Sequence, residues 1–367
     1  MPVGANLMIL TAGAEWRCWP GPTAAALTPA SCATLPQTGF GCSHVPPIQA
    51  DNALLFCQER GSRVRELRFD MLQDQYQASD LSVLSSHLLG DTTHAHAIEE
   101  WALCEEPFRI VWAVRSDGTL LGLTWMREHE VQAWHRHDTG SGGSDGDGAV
   151  ESVASIVEAE PADEDGGAPS PPADSLYLIV RRAVNGTIRR YLERLAPRRF
   201  ATPDRAWFLD CALAYAGPST ATLTGLDHLE GKAVTVLADG VPAGPFTVTG
   251  GAVTLAAPCT RAIAGLPYRA ELETLDLDLP TASGTAQGRL KKITRLTVRV
   301  KDSRGLQAGP GAAALRRIGD GAEAAFTGDW SMMMPGDWTR GGRLLLRQDQ
   351  PLPCTVLAVI PEVEIGG

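Results

Sequence analysis

The side chains best able to do chemistry gather in one short stretch: His129, Glu130, Trp134, His135, His137 and Asp138. On an extended strand alternate side chains share a face, so His135 and His137 would stand side by side. Two strand imidazoles and a carboxylate form a donor set that zinc or iron accepts. The stretch opens a flexible loop, however, and lacks the ligand spacing of a known catalytic site. An exposed or hydrogen-bonded strand is the better reading, and no metal residue is assigned. His94 and His96 make a second such pair in a Thr-rich loop and are read the same way.

Other chemistries find less. No Ser-His-Asp ordering is recognisable, and no Gly-rich loop between a strand and a helix offers a cradle for phosphate, so no catalytic and no cofactor-binding residue is assigned. Glu105 with Glu106, and Asp276 with Asp278, are carboxylate pairs that a glycosidase could use, but sequence cannot measure their separation. Asp276 and Asp278 alternate with Leu275, Leu277 and Leu279, which predicts a strand with one solvated and one buried face. Arg181, Arg182, Arg189, Arg190, Arg194, Arg198 and Arg199 form a basic patch. It could meet an acidic partner or nucleic acid; bracketing a hairpin, it reads first as a solvated edge that resists unwanted strand pairing. Met332, Met333 and Met334 before Pro335 suggest an adaptable apolar contact, in a core or with another subunit.

The elements that would position these groups are β-strands. Short apolar runs recur between Gly-containing turns: Leu7–Leu10 turning near Gly13, Leu54–Cys57 and Val64–Phe69 around Gly61, Trp112–Val114 and Leu120–Trp125 around Asp117-Gly118, and Tyr177–Arg182 and Ile188–Glu193 around Asn185-Gly186. The four turn glycines lie 48, 57 and 68 residues apart. Such spacing resembles propeller blades of roughly 40 to 50 residues, the longest interval holding a low-complexity excursion near 139–173. Within that excursion, Ala149–Val157 alternates weakly, as a strand would. A helical insertion is expected near 79–106, with Ser79-Asp80 as N-cap, Leu81, Leu84 and Leu88 on one face, Gly90 as stop, and a second helix from His96 to Cys104 before Pro107.

From about Thr224 the character changes. Lys232–Leu237, an Asp239-Gly240 turn, Phe246–Thr249, a Gly250-Gly251 turn and Ala252–Leu255 predict a three-stranded meander at 226–256. Leu296–Val300, Leu344–Leu346 and Thr355–Ile360 are expected to close a small barrel or sandwich around it. The chain is therefore expected to be mainly β, with a propeller-like domain at 1–222, a second β domain at 223–367 and few helices.

Bulk properties agree with an ordinary globular chain of 367 residues, 44% hydrophobic and 20% charged. The formal charge of −11 argues against stable nucleic-acid binding. Eight cysteines stand singly, without a C-x-x-C pair, and are expected to be reduced and mostly buried. No run approaches the ~18 apolar residues of a membrane helix, and the first residues lack the pattern of a signal peptide.

Several long stretches carry a family resemblance: LLFCQERGSRVRELRFDMLQDQYQASDLSVLSSHLL, PFRIVWAVRSDGTLLGLTWMREHEVQAWHRHDTG and LYLIVRRAVNGTIRRYLERL, then GLDHLEGKAVTVLADG, GTAQGRLKKITRLTVRVKDSRGLQAGP and QDQPLPCTVLAVIPEVEI. Over roughly residues 50 to 365 the chain resembles a family of bacteriophage tail proteins, some of them similar to nozzle proteins of short-tailed phages. The module near Leu226–Leu255 is similar in fold to the first catalytic-cysteine half-domain of ubiquitin-activating enzymes, a likeness that carries no catalytic residue here. The resemblance implies a non-enzymatic structural protein of the virion, assembled in the host cytoplasm as a homo-oligomeric ring with an expected sixfold symmetry. It further implies neighbouring adaptor, fibre or tip proteins as partners, passage of phage DNA without specific binding, and more propeller-like sequence upstream. An acidic channel wall would let DNA slide. The alternative is a carbohydrate-binding or depolymerising tail-tip protein, in which Trp330 and Trp338 would stack on sugars.

Overall fold

Ala53–Cys57 and Ile110–Val114 contain no charged or hydroxyl side chain, and every residue in both runs is buried. A strand with no solvated face belongs between two other layers. The computed structural model describes residues 1–3, 6–21, 25–60, 63–89, 96–140, 147–159, 171–198, 208–281, 284–318 and 324–366. These residues are mainly β, in antiparallel sheets. They divide into one unit of residues 1–183 and 188–195 and a second of 184–187 and 196–367. Among them no helix is long and apolar enough to cross a membrane.

The strands of the first unit come in four sets, each paired in chain order. The first is β1 (Pro2–Val3), β2 (Asn6–Leu10), β3 (Glu15–Trp19) and β4 (Ala33–Thr38), and the second is β5 (Ile48–Ala50), β6 (Ala53–Cys57), β7 (Val64–Asp70) and β8 (Gln75–Asp80). The third is β9 (Ile98–Cys104), β10 (Ile110–Arg115), β11 (Leu120–Met126) and β12 (Val131–His137), and the fourth is β13 (Ala149–Glu158), β14 (Ala173–Val184) and β15 (Thr187–Arg194). Gly13, Gly118 and Gly186 each lie between the second and third strands of a set. Gly61 holds the same place in chain order but is outside the described residues, as are about half of the 139–173 excursion, His94 and Arg199.

Side-chain alternation then stacks the sheets. Leu54 and Phe56 of β6 meet Met8 of the first sheet, while Ala53, Leu55 and Cys57 turn the other way toward Val111, Ala113, Leu121 and Leu123 of the third. In β10 the same division recurs: Ile110, Trp112 and Val114 pack on Val150, Val153, Leu176, Leu178 and Val180 of the fourth sheet. Each fully buried side chain of this kind contributes about 1.5–3 kcal/mol, so a period of two on doubly covered strands holds three sheet-to-sheet interfaces together.

The hairpin between β10 and β11 is reinforced by charge. Arg115 donates to both carboxylate oxygens of Asp117, at 2.8 and 2.6 Å, and the Thr119 amide donates to Asp117 Oδ1 at 3.1 Å. Burial pushes the Asp117 carboxyl up, but these donors outweigh it and hold the group well below the usual carboxylate range. A depressed folded-state value means stability that is present above the unfolded pKa of about 3.9 and lost as pH falls toward the folded one. Asp117→Asn is therefore expected to cost about 1–2 kcal/mol at neutral pH, the lower part of the range for charged hydrogen bonds because the carboxylate is partly exposed. The cost should shrink below about pH 4; equal destabilisation at pH 7 and pH 3 in urea melts would refute this account.

Several sequence expectations are corrected. Ser79 and Asp80 end β8 instead of capping a helix, and Asp80 Oδ1 accepts from the Ser82 amide and hydroxyl at 2.8 and 2.7 Å. Among the described residues only a 3-10 turn at Val83–Ser85 and the short α1 (Ser86–Leu89) follow, with Leu81 and Leu89 buried but Leu84 92% exposed. The helix expected at His96–Cys104 is strand β9. Ile98, Trp101 and Cys104 are buried at three-residue spacing, which mimics a helix. The cause is a register shift opposite Val114 and Arg115, together with packing on both faces: Ile98 and Trp101 face one core and Cys104 the other.

In the second unit, the Asp239-Gly240 turn forms with both residues at positive φ, 45° and 79°, as does Gly250-Gly251 at 61° and 68°. The expected meander at 226–256 does not: Val253–Leu266 pairs with Ala233–Ala238 and with Asp210–Leu223, leaving Val241–Thr247 outermost. Nor do the later strands close a barrel around it. Lys291–Ser303 lies between Phe326–Met333 and Thr355–Ile365 in a separate sheet, Leu345–Gln348 belongs to another, and their shared core is built on Leu296, Val298, Val300 and Leu346. Residues 274–279 are not strand. Leu275 is 86% exposed while Leu277 packs against the core, and Asp276 and Asp278 are bound locally, to Arg343 and to Thr285 and Gln287.

Candidate functional site

The predicted histidine stretch runs from a 3-10 turn, Arg127–His129, through Glu130 at φ 55° into β12. Pairing of β11 with β12 sets Gly122 opposite His135 and Leu120 opposite His137. The imidazole of His135 lies directly over Gly122, where a Cβ would come within 2.1 Å of the ring. His135 Nδ1 and His137 Nε2 are 2.6 Å apart, and His135 Nε2 is 3.2 Å from Thr124 Oγ1. Trp112 packs edge-on against both rings, at 5.9 and 4.8 Å between centroids. The two histidines thus share a face, as their spacing predicts.

A neutral imidazole carries one N–H, so one histidine of the pair donates and the other accepts. The remaining predicted groups do not join them. Trp134 Nε1 donates to the Leu81 carbonyl at 2.8 Å, and Asp138 pairs with Arg136 at 3.1 Å. Among the described residues no group of three or more His, Cys, Asp or Glu side chains converges as metal ligands. The pair's geometry is that of polar packing beside the core between the third and fourth sheets.

The arginine patch is largely neutralised where it stands. Arg182 is 2% exposed and donates to both oxygens of Glu193 at 2.5 and 2.7 Å. Arg190 meets Glu151 at 2.5 Å, and Arg194 meets Glu158 at 2.6 Å. The solvated-edge reading therefore fails for Arg182, which lies buried against the partly exposed Glu193 carboxylate. The methionine run is divided: Met334 is buried, Met332 packs on the core and Met333 is 64% exposed. All eight cysteines are free thiols, with Cys18 and Cys32 sulfurs 3.1 Å apart.

Hollows indent the second unit, and two of them have walls built from described residues. The smaller, about 230 Å³, is apolar, with Leu272, Leu306, Leu346 and Leu352 in its wall and the Arg347–Glu271 pair, 2.6 Å, beside them. The larger, about 620 Å³, is bounded by Phe326, Trp330, Arg304, Arg317, Ser331 and Gln350. Trp330 was legible as a candidate aromatic; Phe326 was missed. Its signal is the alternation Phe326, Gly328, Trp330, which brings two rings to one strand face with no side chain between them. Trp338 does not line this hollow.

No family model matches the chain, and no curated protein matches it. Among solved structures, an exo-β-1,3-galactanase from Phanerochaete chrysosporium, in complex with β-1,3-galactotriose, is similar at 9% identity over 100% of this chain and 96% of that one. The TM-score is 0.20, a likeness too low to carry any argument about fold or activity.

Proposed function

We propose that this chain is a non-enzymatic structural subunit of a bacteriophage tail, a nozzle or distal tube component that assembles with copies of itself into a ring around the DNA path. The observation that carries the proposal is the state of the two end sheets of the first unit. In the interior sheets β6 and β10 are buried on both faces, whereas each end sheet leaves apolar side chains exposed among the described residues. On the first sheet, Ile9, Trp16 and Pro36 form a cross-strand row, with Ile9 40% exposed. On the fourth, Ile156, Ile179, Ile188 and Leu192 are 51, 38, 52 and 73% exposed.

Face-to-face stacking of four-stranded meanders is how propeller blades pack, and a stack closed within one chain would cover these residues. Their exposure supports a stack continued by a neighbouring copy, and isolated apolar patches of this kind mark protein contacts. Head-to-tail contact between the last sheet of one copy and the first of the next is heterologous, the class of interface that generates rings. The acidic balance of −11 supports a surface that DNA passes without sticking.

Sedimentation of the purified chain tests the proposal. The wild type is expected to form a closed oligomer, and Leu192→Glu or Ile9→Glu to shift it to monomer with unchanged circular dichroism. A wild-type chain that stays monomeric, or that imaging places in no phage particle, would defeat it. The alternative of a saccharide-binding tail-tip protein is favoured by one observation, the larger hollow of the second unit.

A further inference from the structure

The larger hollow is built, in the sense that its parts hold one another in place. Strand Phe326–Met333 lies at the edge of its sheet, and its even-numbered side chains face the core side, with Trp330 opposite Val298 and Met332 opposite Leu296. Phe326 and Trp330 fold toward each other across Gly328 until their rings stack, 5.1 Å between centroids and 12° from parallel. Only glycine permits this: a Cβ on residue 328 would lie 2.8 Å from the Phe326 ring. The hollow thus has an aromatic wall whose geometry the backbone imposes.

Its charge is also specific. Asp329, the one carboxylate bordering the hollow among the described residues, is held by both nitrogens of Arg299, at 2.7 and 2.9 Å. Arg304 is anchored through Nη1 to the Gly240 carbonyl at 3.0 Å, and its buried Nε finds no acceptor among the described residues. Arg317 is exposed and has no ion pair among the described residues. Two guanidinium groups therefore border a hollow in which the carboxylate is already paired, within a chain whose net charge is −11. Gln350 adds an amide group to the rim, while the Ser331 hydroxyl lies on the other strand face, 2.7 Å from Thr297 Oγ1.

From these observations we infer that the hollow binds an acidic saccharide, a sugar ring bearing a carboxylate as found in uronate polymers. The C–H face of a pyranose packs on an aromatic ring, its hydroxyls bond to the Gln350 amide, and its carboxylate takes the planar fork of an arginine. A volume of about 620 Å³ falls inside the range of roughly 300–1,000 Å³ typical of ligand clefts. An extended peptide adding to the edge strand is the rival occupant, but it would need neither the stacked rings nor the arginines. The inference goes beyond the assembly proposal and does not rest on it.

Calorimetric titration of the full chain with tetramannuronate, and with mannotetraose as its uncharged counterpart, decides the matter. The expected result is saturable binding of tetramannuronate, at least tenfold tighter than mannotetraose. Trp330→Ala and Arg317→Gln should each weaken it tenfold or more. Arg317 is exposed, so that variant keeps the test valid should the tryptophan variant fail to fold. Equal affinity for both tetrasaccharides, competition by sulfate at the same concentration, binding of a strand-forming peptide at this edge instead, or no binding at all would each overturn the inference.

Discussion

Gly41→Ala is expected to destabilise the first unit by about 2–5 kcal/mol. Residue 41 sits at φ 72°, and a Cβ there would lie 2.1 Å from the carbonyl oxygen of Ala12, a backbone atom that no rotamer change can move aside. The left-handed conformation alone costs an alanine about 1–2 kcal/mol, and the overlap forces a backbone shift worth about 1–3 kcal/mol more. The neighbourhood cannot absorb that shift cheaply. Cys42 donates to the Thr11 carbonyl at 2.8 Å and Glu59 donates to the Gly41 carbonyl at 3.0 Å, so residues 41 and 42 tie the first sheet's hairpin turn to the second sheet. Gly13→Ala is the control: among the described residues no atom lies within 4 Å of its Cβ position, and its φ is not positive. That variant should stay within about 0.5 kcal/mol of wild type. Urea melts that rank the two equally would show that the strain assigned to residue 41 does not exist.

Trp112→Ala carries the second large effect. The indole is 4% exposed, belongs to the core between the third and fourth sheets, and walls in both His135 and His137. Truncating a buried tryptophan costs about 3–5 kcal/mol through lost transfer energy and the cavity left behind. The loss should be accompanied by rotation of the two imidazoles, since the hydrogen bond between them depends on the edge-on ring beside them. Denaturation combined with the histidine ring resonances provides the check. A loss below about 1 kcal/mol with unchanged imidazole signals would mean that the fourth sheet does not depend on this residue for its seat.

Much of the local structure was legible. Asn185-Gly186 and Asp239-Gly240 require positive φ at both positions, and only a few residue types accept it, so the hairpins follow from the dipeptides themselves. The doubly apolar runs in β6 and β10 announced strands covered on both sides, and the spacing of the turn glycines matched the repeat of the sheets. Where sequence reasoning failed, a nonlocal contact had overruled a local pattern. Ile98, Trp101 and Cys104 carry a helical period because a register shift changes which face each side chain meets partway along β9. The strand Val253–Leu266 crosses to the far edge of Ala233–Ala238, a choice that turn chemistry at Gly250-Gly251 leaves open.

The candidate sites divide along the same line. That His135 and His137 face one way is a property of any strand, and could be read without coordinates. That Gly122 leaves room for one ring and Trp112 encloses both depends on strands from elsewhere in the sheet. The larger hollow is more extreme, since Arg304, Arg317, Trp330 and Gln350 come from separate segments of the second unit. By itself, then, the order of residues specified strands, turns and the two-sided burial of certain strands, because backbone dihedral preferences and side-chain alternation act over a few residues. Which sheet covers which, which carboxylate answers which arginine and where a hollow remains were decided only in the folded chain, because one inserted residue in a ladder reverses every face beyond it.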